Sequence, residues 1–385
     1  MNEGKRKVCV VVASRANYGR IKSVLKGIKE HQDLDLQLIV AASALLHRFG
    51  NAMEVIKEDG FNIDATVYVI VEGENPTTMA KSTGLATIEL ATHFENLKPD
   101  IVLTVADRFE TLATAISASY MNIPLAHTQG GEVTGSIDES VRHAITKLSH
   151  MHFVSTRLSR DIVIRMGEDP EQVFLTGCPS IDAIANTDLS VNGVLEKYGG
   201  VGAHADPKES CLVVLQHPVT TEYGKGFEQI NETLKAVSRL RMQTIWLWPN
   251  VDAGSDDISK GLRMFREKHN PDYIHFYRNF SVEDYARVIN SCACLIGNSS
   301  SALREGSFLG VPAVNIGSRQ VGRERGPNVI DVDHDSSMIE EAVKKQVSHG
   351  KYERSFLYGD GKATEKIAHI LANTLPEVQK HFFLS

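Results

Sequence analysis

Several features are scarce or missing in this sequence, and each absence excludes something. The 385 residues include five cysteines, Cys9, Cys178, Cys211, Cys292 and Cys294. Their number is odd and they are scattered, four of them in or beside apolar, strand-like runs. That distribution argues against a disulfide framework and for buried, reduced thiols. Cys292 and Cys294 lack a second Cys/His pair nearby, so no structural zinc, which wants about four ligands, is expected. No stretch approaches the roughly 20 apolar residues of a membrane span. The early run VCVVVAS is too short and too β-branched for a signal peptide and reads as a first strand, which predicts a cytoplasmic protein. A basic excess is missing too. The net charge is −7, so no general nucleic-acid surface is expected. An anionic ligand must then be met by a few local arginines, histidines and helix N-termini. The first loop, SRANYGR, is not GxGxxG, and no GxxxxGK[ST] occurs, which argues against dinucleotide cofactors and a Walker-type loop. Repeats and low-complexity segments are absent as well.

What is present is ordinary soluble composition, 42% hydrophobic and 23% charged, which excludes disordered and fibrous classes. Apolar β-branched runs alternate with helical patterns at 7–13, 36–42, 65–71, 100–106, 123–127, 151–155 and 173–176. A weaker, polar stretch from Asn186 to Lys208 follows. A second series then occupies 211–215, 244–248, 273–277, 293–297, 312–316 and 328–332. Strands alternating with helices predict α/β architecture with parallel sheets covered on both faces. Two such series predict two Rossmann-like domains, at 1–185 and 186–365, with residues 366–385 packing back on the first. Ligands of such sheets sit beyond the carboxyl ends of the strands, so the chemistry should directly follow the apolar runs.

Arginine, histidine, aspartate and small polar residues do follow them. Arg15, Asp107, Arg108, His127 and Pro179–Ser180 come after runs of the first series, and His217, Asn250, Asn298 to Ser301 and Arg319 after runs of the second. The segment GNSSSALREGSFLG leaves a strand at Gly297 and predicts a helix from about Ser300. Serines there suit N-caps, and equally an anion site of hydroxyls and free backbone N–H groups. Glu305 is either a solvated helix residue or an acceptor for vicinal ribose hydroxyls. Arg15, Arg108 and Arg319 are the local cations suited to a pyrophosphate. Asp107, His127, Asp138, Glu139 and His217 are the acid–base candidates. Asp138 and Glu139 open a helix, where the dipole alone would favour them. Burial and Arg108 would push Asp107 in opposite directions, so its charge is left open. His143, His150 and His152 read as packing or surface histidines.

With these residues assembled, the chain resembles the hydrolysing UDP-N-acetylglucosamine 2-epimerases of sialic acid biosynthesis, the NeuC-type enzymes. The likeness runs almost end to end through SRANYG, ADRFE, HTQGGEVTGSIDESVRHAITK, HPVTTE, WPNVDAGSD, GNSSSALREG and GSRQVGRERG. It implies the GT-B arrangement of two Rossmann-like domains, with the active site in the interdomain cleft, and a dimer. It implies loss of the sugar C2 proton as UDP leaves C1, giving a 2-acetamidoglucal, then addition of water to give free N-acetylmannosamine. The substrate would be a UDP-sugar and UDP a product, without metal or redox cofactor, nucleic acid or membrane. By resemblance Asp107, position 129 and Asp138 match the catalytic carboxylates, and His217 a histidine assisting the leaving group. Arg15, Arg108, Ser299, Ser300, Glu305 and Arg319 match the UDP site, with Asn250 a further polar contact and His127 beside them on the substrate side. A neighbouring branch takes UDP-2,4-diacetamido-2,4,6-trideoxyglucose, on the way to legionaminic acid. A GT-B glycosyltransferase, a non-hydrolysing epimerase and a nucleotide-sugar sensor are the rivals.

One departure stands out. Many relatives read H-x-E-G-G, whereas this chain reads His127-Thr128-Gln129-Gly130-Gly131. Glutamine cannot exchange a proton near neutral pH. Three readings stay open: a substrate-trapping variant with Gln in place of Glu, which this pattern favours; proton transfers shared among Asp107, Asp138 and Glu132; or a binder that has lost turnover.

Overall fold

The computed structural model describes residues 4–47, 51–73, 75–206, 209–249 and 253–384. Its contacts divide the chain into two units. Unit 1 comprises Met1–Glu132, Asp138–Ala185 and Tyr358–Ser385, and unit 2 comprises Val133–Ile137 and Asn186–Leu357.

Unit 1 is built on a seven-stranded sheet of β1 (Arg6–Val12), β2 (Leu34–Ala41), β3 (Ala65–Val67), β4 (Ile101–Val105), β5 (Leu125–Thr128), β6 (Met151–Val154) and β7 (Val173–Leu175). The order is β3-β2-β1-β4-β5-β6-β7 and every pairing is parallel. Around it lie α1 (Arg15–Glu30), α2 (Ala52–Glu58), α3 (Pro76–Leu97), α4 (Phe109–Tyr120), α5 (Ile137–Leu148), α6 (Arg157–Arg165) and α7 (Pro179–Ala185). Strand β1 shows why both faces are covered. Val8, Val10 and Val12 enter one apolar cluster, while Cys9 and Val11 enter another on the opposite face. A period of two with both phases apolar is the mark of a strand buried on both sides.

Unit 2 repeats the plan with β8 (Gly200–Gly202), β9 (Leu212–Leu215), β10 (Thr244–Leu247), β11 (Ile274–Tyr277), β12 (Cys294–Gly297), β13 (Ala313–Ile316) and β14 (Val329–Val332). Its helices are α8 (Gly226–Leu240), α9 (Ser255–His269), α10 (Val282–Ser291), α11 (Glu305–Leu309) and α12 (Ser336–His349). The order is β14-β13-β12-β9-β10-β11-β8. The sequence predicted parallel sheets. The structure corrects this at one edge, where β8 runs antiparallel to β11. That strand comes from the polar stretch 186–208. Three residues with glycine at both ends carry no apolar alternation, so periodicity could not reveal them. Likewise the run 65–71 forms strand only over β3.

The last helix, α13 (Ala363–Asn373), places Ile367, Ala368 and Leu371 in the same cluster as Val8 and Ile21 of unit 1. Beyond it, Lys380 Nζ reaches the buried Glu168 carboxylate (2.5 Å) and donates to the carbonyls of Thr146 and Lys147 at the end of α5 (3.2 and 2.8 Å). A cation at a helix C-terminus satisfies carbonyls that have no intrahelical partner. Among the described residues no helix is long and apolar enough to cross a membrane.

The strand orders position the chemistry. In unit 1 the chain runs outward from β1 to β3, then returns to place β4 beside β1. In unit 2 it runs from β9 to β11, then returns to place β12 beside β9. At such reversals the loops after adjacent strands diverge and leave a crevice. The loops concerned hold Arg15 and Asp107 in unit 1, and His217 and Asn298 in unit 2.

Candidate active site

In unit 1, β4 ends at Val105 and Ala106 takes a φ of +63°. A left-handed non-glycine residue needs external support. His127 on the neighbouring β5 supplies it, with Nε2 2.7 Å from the Ala106 carbonyl and Nδ1 3.4 Å from the Thr146 hydroxyl. The acceptor is a carbonyl, so Nε2 carries the proton. Burial pushes the ring's pKa down to about 3, against the opposing pull of that hydrogen bond. A neutral, fully enclosed His127 therefore holds the turn beneath the site.

That turn presents Asp107. One carboxylate oxygen accepts from Arg142 Nη2, and the other lies 3.5 Å from Arg20 Nη1. Arg142 stands on α5 with 0% exposure, and its Nη1 donates to the Glu132 carbonyl. One buried guanidinium thus fixes both the Asp107 carboxylate and the turn after β5. Asp138 opens α5, half-buried, with Glu139 beside it 3.6 Å from His143. Arg15 is the first residue of α1, whose N-cap Ser14 accepts from the Asn17 N–H at 3.1 Å. Asn17 Nδ2 in turn donates to the Val105 carbonyl (3.4 Å), which ties α1 to the end of β4. Arg108 engages Glu110 in a forked pair, at 3.1 and 3.2 Å.

Gln129 follows β5 with a φ of +65° and 1% exposure. Its Nε2 donates to Cys178 Sγ at 3.1 Å, and that sulfur lies 3.1 Å from the Ser180 hydroxyl. The amide is thus turned toward the loop between β7 and α7. Gly131 follows with a φ of +75°, and a Cβ there would collide with the Ser159 carbonyl, so glycine is required for the chain to pass α6.

In unit 2 the corresponding groups are mostly neutral. The His217 backbone is clamped by Asn298, whose Oδ1 accepts its N–H at 2.7 Å and whose Nδ2 donates to its carbonyl at 2.8 Å. The Asn298 carbonyl accepts from Arg319 (3.2 Å) and Gln320 (2.9 Å). Gly297 allows this close approach. Its φ is +128°, and a Cβ would collide with the Leu215 carbonyl. The sequence predicted a helix from about Ser300. The structure has instead a single 3-10 turn, Ser300–Ala302, capped by Ser299, and then the five-residue α11 that Glu305 begins. The Ser299 hydroxyl accepts from Ser301, and Arg304 Nη1 reaches the Ser300 hydroxyl at 3.4 Å. Glu305 Oε2 is buried without a partner among the described residues. Asn250 lies outside the described residues.

Arg142, Arg20, Asn17, Arg304 and Gln320 were not singled out from sequence. Arg142 and Arg304 sit inside quoted motifs, RHAITK and SALREG, yet their importance comes from burial that sequence does not display. All five cysteines are buried and none forms a disulfide. Among the described residues no group of three or more His, Cys, Asp or Glu is placed to hold a metal ion.

Residues 26–372 match the family described as UDP-N-acetylglucosamine 2-epimerase. The chain is 35% identical over 381 residues to a UDP-N,N′-diacetylbacillosamine 2-epimerase (hydrolyzing) from Legionella pneumophila, with 96% of each chain covered. It is 28% identical to a UDP-N-acetylglucosamine 2-epimerase from Neisseria meningitidis serogroup B, covering 96% of this chain and 95% of the relative. Its fold is similar to a crystal structure of UDP-GlcNAc 2-epimerase from Neisseria meningitidis bound to UDP-GlcNAc, with a TM-score of 0.76 at 17% identity, covering 96% of this chain and 100% of that one.

Proposed function

The chain belongs to the UDP-N-acetylglucosamine 2-epimerase family, and from that premise we propose that it is a hydrolysing 2-epimerase of a UDP-activated 2-acetamido sugar. The observation that carries the reading is the 35% identity, over 96% of both chains, to a relative named as hydrolyzing. That relative acts on UDP-N,N′-diacetylbacillosamine, and this 2,4-diacetamido-2,4,6-trideoxy sugar is the substrate proposed here. UDP-N-acetylglucosamine is the second reading, supported by the meningococcal relative. It would give free N-acetylmannosamine, a precursor suited to sialic acid synthesis.

The residues divide by task. A proton on C2 of a sugar is only weakly acidic, so its removal needs a carboxylate held in place. Asp107, fixed by Arg142 and Arg20, is assigned that role. Asp138 is assigned to the sugar as well. Departure of UDP puts charge on the phosphate, which preorganised donors stabilise. Arg15, Arg319, Ser299 and Ser300 are assigned to the pyrophosphate, His217 to the departing oxygen and Glu305 to the ribose hydroxyls. Arg108, forked onto Glu110, is assigned to the UDP site as well. Asn250 remains assigned as a polar contact to the nucleotide sugar.

A competition experiment tests the substrate. Both UDP-sugars are supplied together, and UDP and the two free sugars are followed by mass spectrometry. Faster consumption of the diacetamido substrate, by about tenfold or more in kcat/KM, supports the first reading; two buried polar contacts suffice for such a ratio. The reverse preference selects the second. Release of neither sugar removes the function proposed.

A further inference from the structure

The loop that follows β5, from Gln129 to Ser136, contains a single carboxylate, Glu132. Position 129, where the family resemblance expects another, holds an amide that does not exchange protons near neutral pH. The structure shows what that amide does instead. It is buried, turned by a left-handed backbone, and donates to the Cys178 thiol, which in turn contacts the Ser180 hydroxyl. Glutamate at this position, 1% exposed, would put a charge against a fully buried thiol, an expensive placement for an ion.

Glu132 lies three residues on, and its position is set by two independent features. The required glycine at 131 fixes the path of the chain past α6. The Arg142 guanidinium then holds the Glu132 carbonyl with one nitrogen and Asp107 with the other. Glu132 itself has 4% exposure. Two carboxyl-bearing residues, one on each of two adjacent strand-end loops, are therefore anchored by the same buried cation.

We propose that Glu132 is the second proton-exchanging group of this chain, partner to Asp107, and that Gln129 is a positioning residue for the Cys178–Ser180 turn. The proposal rests on the 2-epimerase reading above. Asp107, ion-paired with two arginines, takes the C2 proton. The C2–H electron pair becomes the C1=C2 bond, and the C1–O pair leaves on the phosphate of UDP. Glu132 then gives a proton to C2 of the unsaturated sugar while the oxygen of water bonds to C1. The proton lost by that water restores Glu132, and the one on Asp107 passes to solvent.

This division makes a product-level test. Glu132→Gln keeps size and backbone contacts but cannot deliver the proton, so it should release UDP and accumulate the 2-acetamidoglucal. Formation of the 2-epimer should fall by about 10²–10⁴-fold. A UDP binding isotherm like that of the parent chain would show that the variant is folded. If it is not, Glu132→Asp, which withdraws the carboxyl by one methylene, should still raise the ratio of glycal to epimer. Gln129→Glu should lower the thermal midpoint and not raise turnover. Two results would overturn the proposal alone: epimer formation by Glu132→Gln within about threefold of an active parent, or a tenfold gain from Gln129→Glu. A parent chain that releases sugar from neither UDP-sugar would instead remove the 2-epimerase reading, and the proposal with it.

Discussion

The strand ends of the two units meet the same topological problem with different chemistry. In unit 1 the reversal is lined with ion pairs: Asp107 between the buried Arg142 and the partly exposed Arg20, and Arg108 forked onto Glu110. In unit 2 the loops are organised mainly by an amide and hydroxyls: Asn298 clamps His217, and Ser299 caps the turn that Ser300 begins, with one buried cation, Arg304, reaching the Ser300 hydroxyl. Burying ions is costly unless each is paired, so a chain that does so at one strand end has a use for a positioned charge there. Backbone N–H groups and hydroxyls at a turn suit an anion that arrives already charged. The contrast supports assigning proton transfer to unit 1 and the ribose and departing oxygen to unit 2.

Breaking the ionic side should have the largest effect. Asp107→Asn is expected to stop the reaction before UDP leaves and to lower turnover by about 10²–10⁴-fold, measured as UDP release. Normal UDP release by this variant would place the base elsewhere. Removing the cation should instead be felt in stability. Arg142→Met leaves a buried carboxylate short of its partner and should cost about 3–5 kcal/mol, read from the urea midpoint.

Acid should also act on unit 1 first. Burial lowers His127 to a pKa of about 3. At Glu168 burial raises the pKa, but His152, Lys147 and Lys380 outweigh it and bring the value to about 2. Both folded values lie below their unfolded ones. Each contribution is therefore complete above the unfolded value and is lost as pH falls through the folded one. For His127 the window runs from 6.5 down to about 3 and for Glu168 from 4.5 down to about 2. Denaturation midpoints should fall on acidification through these windows, by a few kcal/mol on the order of magnitude. His127→Gln should flatten the upper part of the profile, and an unchanged slope would contradict the account of His127.

The neutral side should respond more gently. Ser299→Ala and Ser300→Ala should each weaken UDP binding by roughly 1 kcal/mol, about fivefold by calorimetry, because each removes one hydroxyl from a site of several donors. A loss of 100-fold from either would mean that unit 2 concentrates its binding as unit 1 concentrates its charge. Smallest of all, Lys380→Ala should cost about 1–2 kcal/mol in thermal unfolding without changing turnover. Glu168 keeps Lys147 and His152.

The two sides also differed in how far the sequence revealed them. Apolar runs ending in Asp107 or His217 marked the strand ends, because a parallel strand buried on both faces is apolar until it emerges. Asp107 was visible for that reason. Arg142 was not, since it sits mid-helix between Val141 and His143 and its burial depends on how α5 meets the loops after β4 and β5. The orientation of Gln129 was equally hidden, because a positive φ at a non-glycine residue leaves no trace in periodicity. Strand β8 escaped notice because three exposed residues carry no pattern. The helix foreseen at Ser300 became a 3-10 turn, since serines that cap a turn look the same in sequence as serines that cap a helix.

The most direct test is proton NMR of the reaction in D₂O, with UDP-N,N′-diacetylbacillosamine and UDP-N-acetylglucosamine in separate tubes. The account predicts free UDP and a free sugar inverted at C2 and carrying deuterium there, from at least one of the two. A free sugar of unchanged configuration with protium at C2, or an epimer still attached to its nucleotide, would contradict it.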